Sequence, residues 1–379
     1  MSEKMKVTPF LIRDTQLPSQ LGIAANIPFE EAQNNDELRN NWFHPVCSRF
    51  NPVDNLLYIG NTAYNNDILY TFDPQNKTFT SLGFQRIASR YDAKVHRSLE
   101  IDHNGIIYGA TASLHDLDAQ HIAPGGQIFQ YDPKTRELTT LAIPVPPWYI
   151  QTIVLDPDRM ILYGYTYQAP YLFRFDIPTR ETTVLAYTGN DGHNLALDKD
   201  GNLWAYWRQH YGTSSTLDSS PQTTMLKYQP DTRELTWLKN VGVPGRFEND
   251  WVYVDFALLG DENNIYIGTT AGTLFSFCTN DQQFQYLGTP LLKDSRIGGM
   301  TIGKDGNLYI AAGRNYRCHL VRYLRPENIF EDLGEIKDLS TGEACCDTHF
   351  ITETSPGTFY ISETDNLRRS SYLWECCLE

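Results

Sequence analysis

The sequence predicts an all-β protein, a seven-bladed β-propeller built from four-stranded antiparallel blades. Three observations carry that prediction. One short pattern recurs seven times along the 379 residues, and four-stranded units repeating every ~40–50 residues are the signature of propeller blades. Tight-turn dipeptides fall at matching places in the repeats. The composition leans to aromatic residues, with 23 Tyr and 18 Phe against 5 Met, a bias that suits a pleated sheet better than a helix.

The pattern is a turn, an aliphatic residue, Tyr or Trp, then small residues. It reads "DNLLYIGNT", "NGIIYGATA", "DRMILYGYT", "DGNLWAYWR", "ENNIYIGTT", "DGNLYIAAG" and "PGTFYISET". The marker aromatics are Tyr58, Tyr108, Tyr163, Trp204, Tyr266, Tyr309 and Tyr360, spaced irregularly at about 50 residues. A second apolar segment follows each copy ("ILYTFDP", "QIFQYDP" and their equivalents), and a third follows six of them ("KTFTSLG", "RELTTLA" and so on). Asn104-Gly105, Asp200-Gly201 and Asp305-Gly306 are hairpin signals between first and second strands. "FDPQNKT", "YDPKTRE" and "YQPDTRE" are wider hairpins between third and fourth strands. The seventh unit lacks the third segment, and residues 6–13, "KVTPFLIR", belong to no unit. They are expected to form the outer strand of the last blade and close the ring. Residues 1–379 then read as one propeller domain, with the polar segment of about 14–42 wrapping the outside or one face.

The net charge of −15 repels phosphate backbones, so nucleic acid is not an expected partner. No apolar run reaches the ~18 residues of a membrane span, and the start, "MSEKMKVTPF", lacks the apolar stretch of a secretory leader. A cytoplasmic monomer that takes a small carbohydrate or another small molecule is expected. The seven Cys, two pairs of them adjacent, read as reduced core thiols rather than a disulfide framework. A thiolate metal site at Cys345 and Cys346 would lack CxxC spacing.

In a propeller the innermost strands line an axial channel, and their first residues lie at one mouth. The predicted innermost strands are "FHPVCSRF", "VHRSLEID", "YIQTIVLD", "GHNLALDK", "YVDFALLG", "GGMTIGKD" and "THFITETS". Their heads carry His44, His96 with Arg97, Gln151, His193 with Asn194, Asp255, Gly298 with Gly299, and His349. Lys94 lies just ahead of His96. Four of the nine His thus share one position in the repeat. Channel mouths are wet and naturally polar, but imidazoles gathered in one buried place also suit proton transfer or metal binding. Two chemistries fit. In one, His44, His193 and His349 hold a divalent ion (calcium, zinc or manganese), with Asp255 or Gln151 completing the shell, although blade four lies across the channel from blades one and seven. In the other, Lys94 or Arg97 holds a substrate carboxylate, His96 or His193 removes a proton, and a Tyr such as Tyr149, or a second His, protonates the leaving oxygen. Gln151, Asn194 and Asp255 are further candidates for binding substrate. Tyr91, Tyr165 and Tyr253 are alternatives to Tyr149. The long connections at 113–127 and 208–222 add His115, His121 and His210, and "AGRNYRCHLV" adds Arg314 and Arg317. No GxGxxG, P-loop, HExxH or GxSxG motif occurs.

The axial His set, the "KVHRS" segment and the "IYGAT…H" that follows it resemble propeller polysaccharide lyases, the L-rhamnose–glucuronate lyase type above all, and more distantly ulvan and oligogalacturonate lyases. The resemblance implies β-elimination beside a uronic acid by His and Tyr at one face of the propeller, in several cases with a metal. It points to His96 and His115 as the paired histidines, and to Arg97 or another nearby Arg for the carboxylate. The oligogalacturonate lyase metal pattern is not visible. Two alternatives stand beside this reading. One is a non-catalytic propeller that binds a glycan or a protein. The other is a propeller enzyme acting on a small natural product, as in the streptogramin-type lyases, whose "DGNLW" repeats are similar. Trp148, Tyr149, Trp207 and Trp251 could stack on either kind of ligand.

Overall fold

A computed structural model describes residues 5–14, 27–189, 193–209, 222–242, 254–259, 263–291 and 295–379. They form seven four-stranded antiparallel sheets, 53% strand and 6% helix. Each sheet is one blade, and in six of the seven the strands run in chain order from the axis outward. Innermost strands of blades three and seven run Tyr149–Asp156 and Thr348–Ser355, with the bounds read from sequence. The third motif forms the outermost strands, such as Glu137–Ala142. In blade seven that place is taken by Met5–Phe10, which pairs antiparallel with Leu373–Leu378 from Met5↔Leu378 to Phe10↔Leu373. The first strand and the last thus lie side by side. Every blade still keeps one open outer edge, so closure by itself says nothing about a monomer.

Local chemistry explains the repeat. Gly105, Gly201 and Gly306 adopt φ of 82°, 77° and 82° in the first hairpins, conformations that cost Gly little. The marker is Tyr or Trp because a buried aromatic with a polar tip can reach back to the turn before it. Tyr58 Oη donates to Asp54 at 2.7 Å, Trp204 Nε1 to Asp198 at 2.9 Å, and Tyr309 Oη to Asp305 at 2.9 Å. The small residue that follows makes room for the next blade at Gly60 and Gly268, and for the ring of Phe129 or Phe173 in its own blade at Gly109 and Gly164. A Cβ on Gly268 would lie 2.4 Å from Ile297 Cγ2. The approach is tightest at Gly298, where a Cβ would meet the Thr348 carbonyl oxygen at 2.0 Å.

Blades two and four depart furthest from the expected strand bounds, while the blade-six strand ends three residues early, at Ile302. In blade two the innermost strand is only Leu99–Ile101, and in blade four only Ala196–Leu197. The chain ahead of Leu99 is instead wedged between neighbours. Lys94 bridges to Thr62 and Ala112, and Arg97 bridges in parallel to Thr152 of blade three. Ahead of blade one, two short helices, α1 (Phe29–Asn34) and α2 (Asp36–Asn41), bury Phe29, Ala32 and Leu38. These pack with Trp42, Tyr64, Tyr91 and Tyr149, so this part of the segment expected to wrap the propeller lies over one face. Residues 15–26 of that segment lie outside the described residues. No helix among the described residues is long and apolar enough to cross a membrane.

Candidate active site at the axial mouth

Along the axis the described residues enclose two hollows. The heads of the innermost strands line one of about 470 Å³, with Lys94, His96, Gln151, His193, Arg296 and His349. The loops after the second strands of blades two, three and seven complete it, with His115, Gln168 and Asp365 among them. The strand tails line the other, of about 640 Å³, where Arg49, Glu100, Lys304 and Glu353 mix both signs of charge. Arg97 lies between them. Its Nη1 donates to the Asp255 carbonyl and to Asp255 Oδ1 at 3.0 Å, and its Nη2 to the carbonyls of Gly298 at 2.9 Å and His349 at 3.3 Å. The Arg97 and Asp255 side chains are each 1% exposed. A guanidinium so engaged holds blades two, five, six and seven together across the axis. It lines the lower hollow and not the histidine hollow, so it does not take the carboxylate-binding place expected of it.

Two imidazoles meet at the upper hollow. His96 Nε2 and His349 Nε2 are 3.0 Å apart. His96 Nδ1 faces the Gln151 carbonyl at 2.9 Å and His349 Nδ1 faces the Val46 carbonyl at 2.7 Å. A carbonyl oxygen only accepts, so both Nδ1 atoms carry hydrogen and, in the neutral rings, both Nε2 atoms present lone pairs. Two lone pairs at 3.0 Å repel; one proton between them turns the contact into a hydrogen bond. Burial holds the pKa of both rings well below the usual 6.5, helped by Lys94 and neighbouring His at His96 and by Arg97, Arg296 and Lys94 at His349. The pair is therefore neutral, and a proton arriving at it removes a local repulsion.

Around the pair stand carboxylates and several cations. Burial would raise the Asp255 carboxyl, but Arg296 and Arg97 hold it well below its usual range. Arg296 Nε donates to Asp255 Oδ2, and its Nη1 lies 3.3 Å from Asp347 Oδ1. Burial pushes the Asp347 carboxyl up to about 7 despite Arg296. His193 Nδ1 is 3.4 Å from Asp255 Oδ1, an imidazole oriented by a carboxylate. Lys94 is half-buried; burial lowers its pKa, while Asp365 opposes that. Asp365 adopts φ of 53°, a left-handed conformation that non-glycine residues hold only when the surroundings impose it.

The other candidates divide. Gln151 lines the histidine hollow. Asn194 lines the lower one, its Nδ2 donating to the Asp255 carbonyl. His115 lines the histidine hollow, its Nδ1 2.7 Å from the Asp116 carbonyl and its Nε2 buried without a partner. Its partner of closest approach is not His96; Tyr149 and Tyr91 flank it, with ring centroids at 5.4 and 5.1 Å. Tyr149 packs behind His115, and burial pushes its phenol further up. Arg314 donates to the Thr270 carbonyl at 3.2 Å and bridges to Asp347, one layer outside the hollow. His44 does not join His193 and His349; it lines a separate recess, its Nδ1 2.6 Å from Ser371 Oγ. Among the described residues no group of three or more His, Cys, Asp or Glu is arranged to hold a metal ion. The donors that do converge are the two Nε2 atoms of His96 and His349, so the expected trio does not fit an ion here. All seven Cys are free thiols. His121 is exposed. Trp207 packs on Trp237, and Trp148 packs beside blade three, so neither forms a ligand platform. Residues His210, Trp251 and Tyr253 lie outside the described residues.

Arg296 escaped the sequence reading because it stands one residue before the blade-six strand, Ile297–Ile302. Lys94 also lies ahead of its blade's innermost strand, five residues before Leu99, and a cation ahead of a strand head was the available signal. Asp365 carried none.

The buried histidines make a stability prediction. His44, His96 and His349 all have folded pKa values below the unfolded 6.5. The unfolded chain therefore binds protons that the folded chain refuses, so their contribution is complete above pH 6.5 and is lost as pH falls below it. Asp347 and Asp92, raised by burial, run the other way with one proton each. Three imidazoles against at most two carboxyls leave a net loss of stability as pH falls below 6.5. Urea unfolding on either side of that value checks it; equal stability on both sides would contradict it.

No protein-family model matches the chain, and no curated protein matches it. Solved structures do. Selenomethionine-substituted virginiamycin B lyase from Staphylococcus aureus aligns with a TM-score of 0.62 at 12% identity, covering 99% of this chain and 100% of that one. A catalytically inactive variant of that lyase with quinupristin aligns at 0.63 and 11% identity, with the same coverage. The extracellular domain of BT4673 from B. thetaiotaomicron aligns at 0.60 and 13% identity over 88% of this chain; the chain spans 38% of the length of that one. At these identities the likeness is one of fold.

Proposed function

We propose that the axial mouth is the active site of a lyase that eliminates a leaving group from a small molecule carrying a carboxylate or similar anion beside a weakly acidic C–H. The observation that carries this is the His96–His349 contact, with both Nδ1 atoms on carbonyls and both Nε2 lone pairs facing one another. In the reaction the substrate anion lies against Lys94 and Arg296, both lining the hollow. The anion offsets the cations that depress the imidazoles, so binding raises the basicity of the pair. The pair takes the proton from carbon, and the C–H electrons form the new double bond. The bond to the leaving oxygen breaks, and that oxygen takes a proton from Nε2 of His193 in its imidazolium form, whose Nδ1–H faces the Asp255 carboxylate. Stabilising the developing charge at the carboxylate is where most of the rate enhancement arises.

Two substrate classes fit this chemistry, a uronate-ended oligosaccharide and a small natural product. The fold is shared with a protein named virginiamycin B lyase, one structure of which holds quinupristin, which favours the second. The test is incubation with both classes in deuterated water. A new unsaturated product, or deuterium entering at the acidic carbon, supports elimination. A ligand that binds saturably at the hollow yet yields neither would make the protein a binding propeller.

A further inference from the structure

Lys94 stands where two hollows meet. It lines the histidine hollow of about 470 Å³ and a smaller recess of about 190 Å³ beside it. Its backbone is fixed, the N–H donating to the Ala112 carbonyl at 3.1 Å and the carbonyl accepting from the Ala112 N–H at 2.7 Å. Its side chain is not. The other cations of the site are engaged, Arg97 with Asp255 and three carbonyls, Arg296 with Asp255 and Asp347. The Lys94 ammonium makes no hydrogen bond or ion pair among the described residues. Nor is its nitrogen sealed inside the protein, as Trp42 Nε1 and His115 Nε2 are, so it meets the space of the hollow.

An amine held this way is chemically unusual. Burial lowers its pKa, and Arg97 and Arg296 add to that against the pull of Asp365. The unprotonated, nucleophilic form is therefore more populated than at exposed lysines such as Lys134 and Lys199. Proton acceptors line the same hollow, the bare Nε2 atoms of the neutral His96 and His349.

We propose that Lys94 captures a 2-oxo acid as an imine, with the carbonyl carbon at Nζ and the carboxylate toward Nη1 of Arg296, the arm not engaged with Asp255. The amine lone pair attacks the carbonyl carbon, and the C=O π pair moves to oxygen. The His96–His349 pair carries one proton from nitrogen to that oxygen, giving a carbinolamine. A second proton, from the His193 imidazolium, lets the oxygen leave as water while the nitrogen pair forms the C=N bond. The product is a cationic imine, and nothing is oxidised or reduced. Such an imine draws electrons from the C–H on the next carbon, the bond that the proposed elimination breaks. Capture goes beyond that elimination and does not rest on it.

The probe is pyruvate with cyanoborohydride, which reduces a cationic imine and fixes the pyruvate on the lysine as a secondary amine. Peptide mapping of the full chain by mass spectrometry reads the label at each lysine. Lys94 is expected to be labelled about tenfold or more faster than Lys134 and Lys199, and this preference is expected to vanish in urea. Acetone, which lacks the carboxylate, is expected to show a smaller preference for Lys94. Label at Lys94 no faster than at the exposed lysines, or an equal preference in urea, would overturn capture. An equal preference with acetone would overturn the 2-oxo acid as its class. Turnover by elimination with Lys94 unlabelled would leave this residue a plain cation. Preferential labelling without turnover of any substrate would instead sink the elimination chemistry and leave capture standing.

Discussion

Replacing His96 with Gln is expected to lower turnover by about 10²–10⁴-fold while leaving the protein folded. Gln retains an N–H for the Gln151 carbonyl that His96 Nδ1 faces at 2.9 Å, so the local hydrogen bonding survives. The substitution removes one of the two bare ring nitrogens that face each other at 3.0 Å. Lost with it is the second nitrogen between which an abstracted proton is shared. His349→Gln is expected to behave alike, and the double variant to lose little more than either single one, because the two rings act as a unit. Substrate affinity, set at Lys94 and Arg296, should change little. Turnover within a factor of about two of the unaltered protein, in a folded His96→Gln variant, would remove the pair from the chemistry.

Arg97→Met is expected to destabilise the fold by about 3–5 kcal/mol. The guanidinium meets three backbone carbonyls and a carboxylate on three other blades, with both charged side chains 1% exposed. Met fills similar volume but satisfies none of them, and buried carbonyls that lose their donor are costly. Asp255 keeps Arg296, so it is not left wholly unpaired, and this holds the expected loss within that range. Arg97→Lys should recover part of it through the charge without the fork. Denaturant unfolding reads the difference. A loss below about 1 kcal/mol would mean that the axial contacts contribute no more than a surface ion pair.

The blade count and most strand bounds were legible because they depend on local chemistry. A Gly at positive φ, an Asp that receives the Tyr58 or Tyr309 hydroxyl, and a small residue beneath the next blade are each written within a few positions of one another. The strand heads were legible because the repeat carries them to one place; His96, His193, Gln151 and His349 do share a hollow. Side-chain direction was not. Arg97 follows His96 by one residue, yet the shortened strand that starts at Leu99 leaves Arg97 wedged against blade three and turned along the axis. His44 occupies the equivalent head of blade one, but Trp42 and Ser371 draw it into the side recess. That recess is built by α1 and α2, which lie outside the repeat. No periodicity could place Phe29 or Trp42 over the mouth, and the polar composition of their segment concealed two buried aromatics.

Nitrogen-15 NMR of the histidine side chains tests the paired-base reading most directly, since two-bond couplings show which ring nitrogen carries hydrogen. Near pH 8, above the ordinary histidine range, His96 and His349 are both expected as neutral rings with hydrogen on Nδ1 and a bare Nε2. They should stay neutral as the pH is lowered past 6.5, in keeping with their depressed values. Hydrogen on Nε2 of either ring in the free neutral protein would contradict this, because the contact between them would then be an ordinary hydrogen bond with no lone pair waiting for a substrate proton.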